Sequence, residues 1–127
     1  MPYKFGKRSL ENLEGVHPDL VRVAMRALEI SPCDFGITEG LRSKERQEQL
    51  VKENKSQTRF SRHITGHAID VVAWVGGEIN WSWNYYEQIA GAMKRSAHQL
   101  GIGIEWGGDW KNFPDGVHFQ LPKQDYP

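Results

Sequence analysis

A single cysteine, Cys33, among 127 residues excludes an internal disulfide framework and a multi-cysteine zinc site. Alone, it reads as a small buried hydrophobe in a chain that suits a reducing compartment or is indifferent to redox. Net charge is missing as well. The 16 Lys and Arg residues balance 16 Asp and Glu, so no global field draws the chain to nucleic acid or an anionic membrane, and only a local patch is left open. No apolar run approaches the roughly 20 residues of a membrane span, and the opening "MPYKFGKRSLENLEG" lacks the apolar stretch of a secretory signal. Synthesis in, and initial confinement to, the cytoplasm is expected. Repeats, low-complexity tracts and long linkers are absent too. A chain of this length fits one domain of about 100 to 200 residues, so one core and one site are expected over residues 1–127.

What is present is periodicity. In "HPDLVRVAMRALEI", Leu20, Val23, Ala24, Ala27 and Leu28 follow one helical face, with Pro18 suited to the first turn. "PCDFGITEGL" reads as a short strand, and Ser43 can cap a second helix reaching about Glu53. Gln47 shares the face of Leu50 and Val51, and a polar group pointing inward needs a partner or a task. Residues 54–62 read as a polar, basic loop. "HAIDVVAWV" alternates as a strand, with Ala68, Asp70 and Val72 on one face and Ile69 and Val71 on the other. Gly76 and Gly77 make a turn. A third helix is expected from about Asn84, with Tyr86, Ile89, Ala90, Met93, Ala97 and Leu100 in register and Gly101 as its stop. "IGIEW" and "VHFQL" read as short strands around the loop "GGDWKNFPDG". The sum is an α+β fold, a mainly antiparallel sheet packed by about three helices.

The chemistry concentrates in "SRHITGHAID", residues 61–70, and in the last strand. His63, Asp70 and His118 are all ligand types that zinc accepts. Two imidazoles and a carboxylate leave a fourth position for water, as in catalytic rather than structural sites. His118 and Gln120 share a strand face, so His118 meets Asp70 only if their strands are neighbours. Neither HExxH nor paired CxxC spacing occurs. On spacing alone, two hydrogen-bonded histidines and a carboxylate finishing a strand end are the competing reading.

"SRHITGHAID" closely resembles the SxHxxGxAxD segment of the zinc peptidoglycan peptidases, a family that includes D-alanyl-D-alanine carboxypeptidases, vancomycin-resistance dipeptidases and bacteriophage L-alanyl-D-glutamate endolysins. "DGVH" resembles its second signature, and "EGLRSKERQ" its upstream arginine segment. Order and spacing match from about residue 15 to residue 120. The resemblance implies one zinc held by His63, Asp70 and His118, with Asp115 as acid/base where relatives often have Glu. It implies that Arg42 contacts the substrate carbonyl or an anionic peptide group, and that Gln47 and Ser61 bind the peptide. The competing roles are a surface ion pair for Arg42 and a turn cap for Ser61.

Other polar and aromatic groups have plainer readings. His67 is structural or supports the site, while His17 and His98 are surface residues. Trp81, Trp83, Trp106 and Trp110 are core and rim packing, with Trp106 the one placed near the cleft. The implied substrate is the peptidoglycan stem peptide, cut at the L-alanyl-D-glutamate bond by a monomeric phage or prophage endolysin. A separate membrane-permeabilising partner is the candidate route of release. A D,D-carboxypeptidase or dipeptidase is the alternative within the family, and a non-catalytic wall-binding module the alternative outside enzymes. A nucleic-acid enzyme is disfavoured by the balanced charge.

Overall fold

The computed structural model describes residues 3–54, 61–112 and 114–127, so most of the polar loop expected over 54–62 lies outside the described residues. In chain order the elements are α1 (Lys7–Asn12), α2 (Pro18–Ile30), β1 (Asp34–Glu39), α3 (Lys44–Lys52), β2 (Ala68–Val75), β3 (Glu78–Asn80), α4 (Trp83–Leu100), β4 (Glu105–Trp106) and β5 (His118–Gln120), with a single 3-10 turn at Gly107–Asp109. Every strand pair is antiparallel. The sheet runs β1, β2, β5, β4, and β3 adds to β2 through the Gly76–Gly77 turn.

Alternation along β2 divides the two faces of the sheet. Ile69, Val71 and Ala73 are fully buried, and Phe35 and Ile37 of β1 and Phe119 of β5 stand opposite them in register. These side chains meet the apolar faces of α2 and α4, which pack on each other and are tied by Ser96 Oγ donating to the Val23 carbonyl at 2.8 Å. Tyr86 links α4 to two strands, its hydroxyl accepting from Ala73 N at 3.2 Å and donating to the Asn80 carbonyl at 2.9 Å. Asp70, Val72 and Trp74 therefore project from the opposite face, away from the helix pair. Chemistry can occupy that face without opening the core.

The helices begin and end where local chemistry dictates. His17 caps α2 by accepting from Asp19 N at 3.1 Å, so it has a defined role beyond the surface position expected for it. Ser43 caps α3 by accepting from Arg46 N at 3.1 Å. Gly101, in the left-handed conformation, ends α4, and Ile102 N returns to the Ala97 carbonyl at 2.9 Å, closing the helix with a buried apolar residue just beyond it.

The structure adds two short elements to this reading and moves one residue. About three helices were expected, and the described residues form four. The additional one, α1, has six residues, no side-chain cap and no buried residue, so it carries no periodic signal. It is held by tertiary contacts to one residue of β1: Ser9 Oγ accepts from Ile37 N at 3.0 Å, and Asn12 Nδ2 donates to the Ile37 carbonyl at 2.7 Å. Strand β3 was likewise unforeseen, being three residues whose only described strand partner is β2. Leu100, placed with the core face, is 39% exposed, because it ends the helix and Ile102 covers the core after the turn.

Candidate metal centre and its supports

Gly66 makes the turn before β2, at φ +76°. A side chain there would be strained by that φ and would also strike the Gly15 carbonyl, which lies 2.4 Å from where a Cβ would stand. This turn returns His63 toward β2. The segment 40–42 then fixes His63 at two points. Its carbonyl accepts from Arg42 N at 2.9 Å, and its ring Nδ1 lies 2.8 Å from the Gly40 carbonyl. Ser61 supports the same turn by accepting from His63 N at 3.2 Å.

Asp70 and His118 are direct cross-strand partners of β2 and β5, which satisfies the condition that the sequence set for their meeting. Asp70 Oδ1 lies 3.1 Å from His63 Nε2 and 3.3 Å from His118 Nδ1. One ligand atom from each of the three residues falls within 4.8 Å of the others. The far sides of the rings show how well these atoms suit a cation. The Gly40 carbonyl can only accept, so His63 Nδ1 carries the proton and Nε2 of the neutral ring presents a lone pair. On His118, Nε2 is 2.8 Å from Gln120 Oε1, and Gln120 Nε2 donates onward to Glu105 Oε1 at 3.0 Å. That orientation of the amide makes His118 Nε2 the donor and leaves Nδ1 as the lone pair. Two lone pairs and a carboxylate oxygen thus point at one another, an arrangement that needs a shared cation, either a proton or a metal ion.

Electrostatics agree. Burial pushes the Asp70 carboxyl upward, but hydrogen bonds and charge from His118 and His63 overcome it and hold Asp70 well below the usual carboxylate range. Burial opposes charging His118, yet Asp70, with help from Gln120 and Asp115, raises its proton affinity. Replacing Gln120 by Leu should remove the acceptor that sets the His118 tautomer. Metal retention, measured by competition with a chelator, is expected to weaken by roughly 10- to 100-fold, the usual effect of losing such an outer partner. The exchange Glu105→Gln with Gln120→Glu restores an amide-to-carboxylate pair in reverse and should recover most of the loss. Unchanged affinity in Gln120→Leu would remove this support from the site.

Arg42 is 8% exposed and pairs with both oxygens of Glu39, at 2.6 Å through Nε and 2.7 Å through Nη2. Its Nη1 donates to Gln47 Oε1 at 2.6 Å, and Nη2 lies 3.5 Å from Asp70 Oδ2. The surface ion pair considered for Arg42 is therefore a largely buried one. Gln47 is fully buried, and its side-chain oxygen accepts from Arg42. A register shift between Ile37 and Glu39 brings Glu39 opposite Asp70, the kind of local irregularity that re-aims a side chain.

Asp115 is half-buried beside the triad. Its N–H donates to the Gly107 carbonyl at 2.9 Å, and its carbonyl accepts from His118 N at 3.2 Å. Burial first, and then the charge of Asp70, push its carboxyl above the ordinary range, while His118 and His63 pull the other way. Trp106, 7% exposed, donates from Nε1 to the Gly116 carbonyl at 2.8 Å and so secures the loop that carries Asp115. Trp110, grouped with packing residues on sequence grounds, places its ring 5.1 Å from that of His118 while remaining 37% exposed. Glu39, Glu105 and the partnership of Gln120 went unnoticed in the sequence. Gln120's shared face with His118 was the one available signal. His67 bonds Thr65 Oγ1 through Nδ1 at 2.6 Å, outside the triad, and His98 is exposed.

Fold and site together define a small α+β domain with a candidate His-Asp-His metal centre, two of whose ligands, Asp70 and His118, are cross-strand partners in the antiparallel sheet. The sequence profile of the phage L-alanyl-D-glutamate peptidases matches residues 1–120, and the chain belongs to that family. It is 35% identical to the L-alanyl-D-glutamate peptidase of Escherichia phage T5, over 99% of this chain and 94% of that protein. It is 30% identical to the peptidoglycan L-alanyl-D-glutamate endopeptidase CwlK of Bacillus subtilis (strain 168), over 84% of this chain and 73% of the relative. The crystal structure of the Serratia marcescens L-Ala D-Glu endopeptidase ChiX superposes with a TM-score of 0.92 at 54% identity, covering 98% of this chain and 94% of that one. No helix among the described residues is long and apolar enough to cross a membrane.

Proposed function

We propose that residues 1–127 act as one zinc peptidase domain that hydrolyses the L-alanyl-D-glutamate bond of the peptidoglycan stem peptide, in the manner of a phage or prophage endolysin. The observation that carries this reading is the convergence of His63 Nε2, Asp70 Oδ1 and His118 Nδ1 in a chain of this family. Two imidazoles and one carboxylate match the ligand sets of catalytic zinc sites. Bound zinc would supply Lewis acidity to the scissile carbonyl and to the attacking water. The protein's own groups do the rest. Asp115 accepts the water proton and returns it to the leaving amine. No covalent intermediate on the protein is required.

Arg42 takes a positioning part in this reading. Its nitrogens are engaged by Glu39, Gln47 and Asp70, so it holds the second oxygen of Asp70 while the first faces the histidines. Gln47 holds Arg42 in turn, and Ser61 holds the His63 turn. Trp106 acts through the Asp115 loop.

Digestion of purified peptidoglycan, followed by mass spectrometry, tests the bond. New D-glutamate amino termini, with L-alanine left on the glycan side, are expected from protein carrying close to one zinc. Free D-alanine as the sole product would select the carboxypeptidase alternative. No product from zinc-loaded protein would favour a wall-binding module.

A further inference from the structure

The face that carries Asp70 continues away from the metal ligands as a groove of about 340 Å3, lined among others by Arg8, Gly36, Thr38, Val72, Trp74 and Ile79. Asp70, Val72 and Trp74 alternate along that face of β2, so Trp74 stands about 13 Å from Asp70, at roughly 3.3 Å per residue. Thr38 touches both regions, lining the groove while its hydroxyl donates to the Asp70 carbonyl at 3.3 Å. Groove and metal ligands therefore share one face of the sheet, with Val72, two residues along β2 from Asp70, already lining the groove.

The floor of the groove is built and not merely left over. Trp74 is 38% exposed, and its cross-strand partner Ile79 is 44% exposed. The indole lies across Gly36, where an added Cβ would come to 3.0 Å from Trp74 Nε1 and 3.1 Å from Ser9 Oγ. The missing side chain seats the ring against the sheet and leaves part of it facing solvent. The core gains little from this, since it is filled from the other face. Among the described lining residues Arg8 brings the one charge, and no carboxylate is among them.

We propose that this groove is a subsite for the glycan side of the substrate, with the Trp74 ring as the platform for a pyranose ring of an N-acetylated amino sugar. The proposal rests on the peptidoglycan reading above. A pyranose offers a face of C–H groups that suits an aromatic ring, and acetamido and hydroxyl groups that suit uncharged polar walls. The stem peptide beyond D-glutamate is rich in carboxylates and amines and would call for more charged partners. Spacing agrees. Between the scissile bond and the sugar lie L-alanine and one short acyl link, an extended reach of about 7 Å; laid along β2 from the metal ligands, that reach ends near Val72, and the next ring covers the stretch toward Trp74.

The test compares two substrates cut at the same bond, a disaccharide-bearing muropeptide and the sugar-free stem peptide. Trp74→Ala should lose roughly tenfold in kcat/KM on the muropeptide, mainly through KM, a loss of the size expected for one ring-stacking contact. On the sugar-free peptide it should match the parent. Trp74→Tyr, which keeps a ring, should recover most of the loss. Equal loss on both substrates, or none on either, overturns the proposal. A second readout needs no catalysis. The N-acetylglucosamine disaccharide, added at millimolar concentration to the zinc-loaded parent, should shift the Trp74 indole N–H resonance, and no shift there also overturns it. Parent protein that cuts neither substrate yet shows the shift would sink the peptidase reading and leave the sugar site standing.

Discussion

Asp115→Asn is expected to lose roughly 10²- to 10⁴-fold in turnover, the usual worth of a general base, while keeping close to one zinc. Asn has nearly the same size and preserves the main-chain bonds that fix the loop, Asp115 N to Gly107 O and His118 N to Asp115 O, but it cannot take up the water proton. Stability should move the other way. In the metal-free protein, burial and the neighbouring charge of Asp70 raise the Asp115 carboxyl above its ordinary value of 3.8, so the folded state binds its proton more tightly than the unfolded chain does. Folding stability therefore falls as pH rises from that ordinary value through the raised one, and the deficit persists above it. The metal-free Asn variant lacks this penalty and should be at least as stable as the parent at neutral pH. Zinc content, turnover and denaturant midpoint on one preparation decide the matter. A zinc-loaded, fully active variant would remove Asp115 from the chemistry, and loss of zinc would make it part of the metal's support.

Arg42→Ala should be the most destabilising single change at the site, on the order of 1 to 3 kcal/mol, the usual cost of removing one partner of a hydrogen-bonded pair. Glu39 keeps 30% of its side chain exposed, so solvent can meet its freed charge. The guanidinium meets Glu39 through two parallel bonds and also donates to Gln47, so its loss removes all three bonds and leaves the Glu39 carboxylate without its paired cation. Arg42→Lys keeps the charge but cannot reproduce the fork, and should fall between parent and Ala. Asp70 also loses the cation near its second oxygen, so zinc retention should weaken together with stability. Chemical denaturation of the three proteins measures the first effect and chelator competition the second. If Arg42→Ala unfolds at the parent's midpoint but fails on substrate, the guanidinium is free to meet the peptide, as the family resemblance implied.

Much of this architecture was legible because it is local or periodic. The apolar spacing of α2, the Ser43 cap and the Gly101 stop each depend on a few neighbouring residues, and all three hold in the structure. The alternation of "HAIDVVAWV" and "VHFQL" placed Asp70 and His118 on definite faces, and required adjacent strands for them to meet. The pairing of β2 with β5 supplies that adjacency. What escaped notice depends on distant partners. Helix α1 exists through two side-chain bonds to Ile37, and β3 through its pairing with β2. Gln47 and Arg42 both turned inward, and the phase of Gln47 had shown it pointing that way, but no periodicity says that they bond each other and Glu39. Trp106 was placed near the cleft from its position in the chain, whereas its buried ring and indole bond to Gly116 come from packing.

The triad draws together residues that are far apart along the chain. His63 is anchored to Gly40 across 23 positions, and Asp70 meets His118 across 48. An ion held by all three would act as a reversible cross-link over long loops, restricting the unfolded chain as well as completing the site. Such contacts close late and slowly in folding, because the entropy of bringing the ends together is spent before the contact forms. Chelation should thus do more than silence chemistry. With such an ion removed, the clasp between β2, β5 and the His63 turn would loosen, so the route by which the protein opens, and its lifetime against unfolding, would be tied to the supply of metal around it.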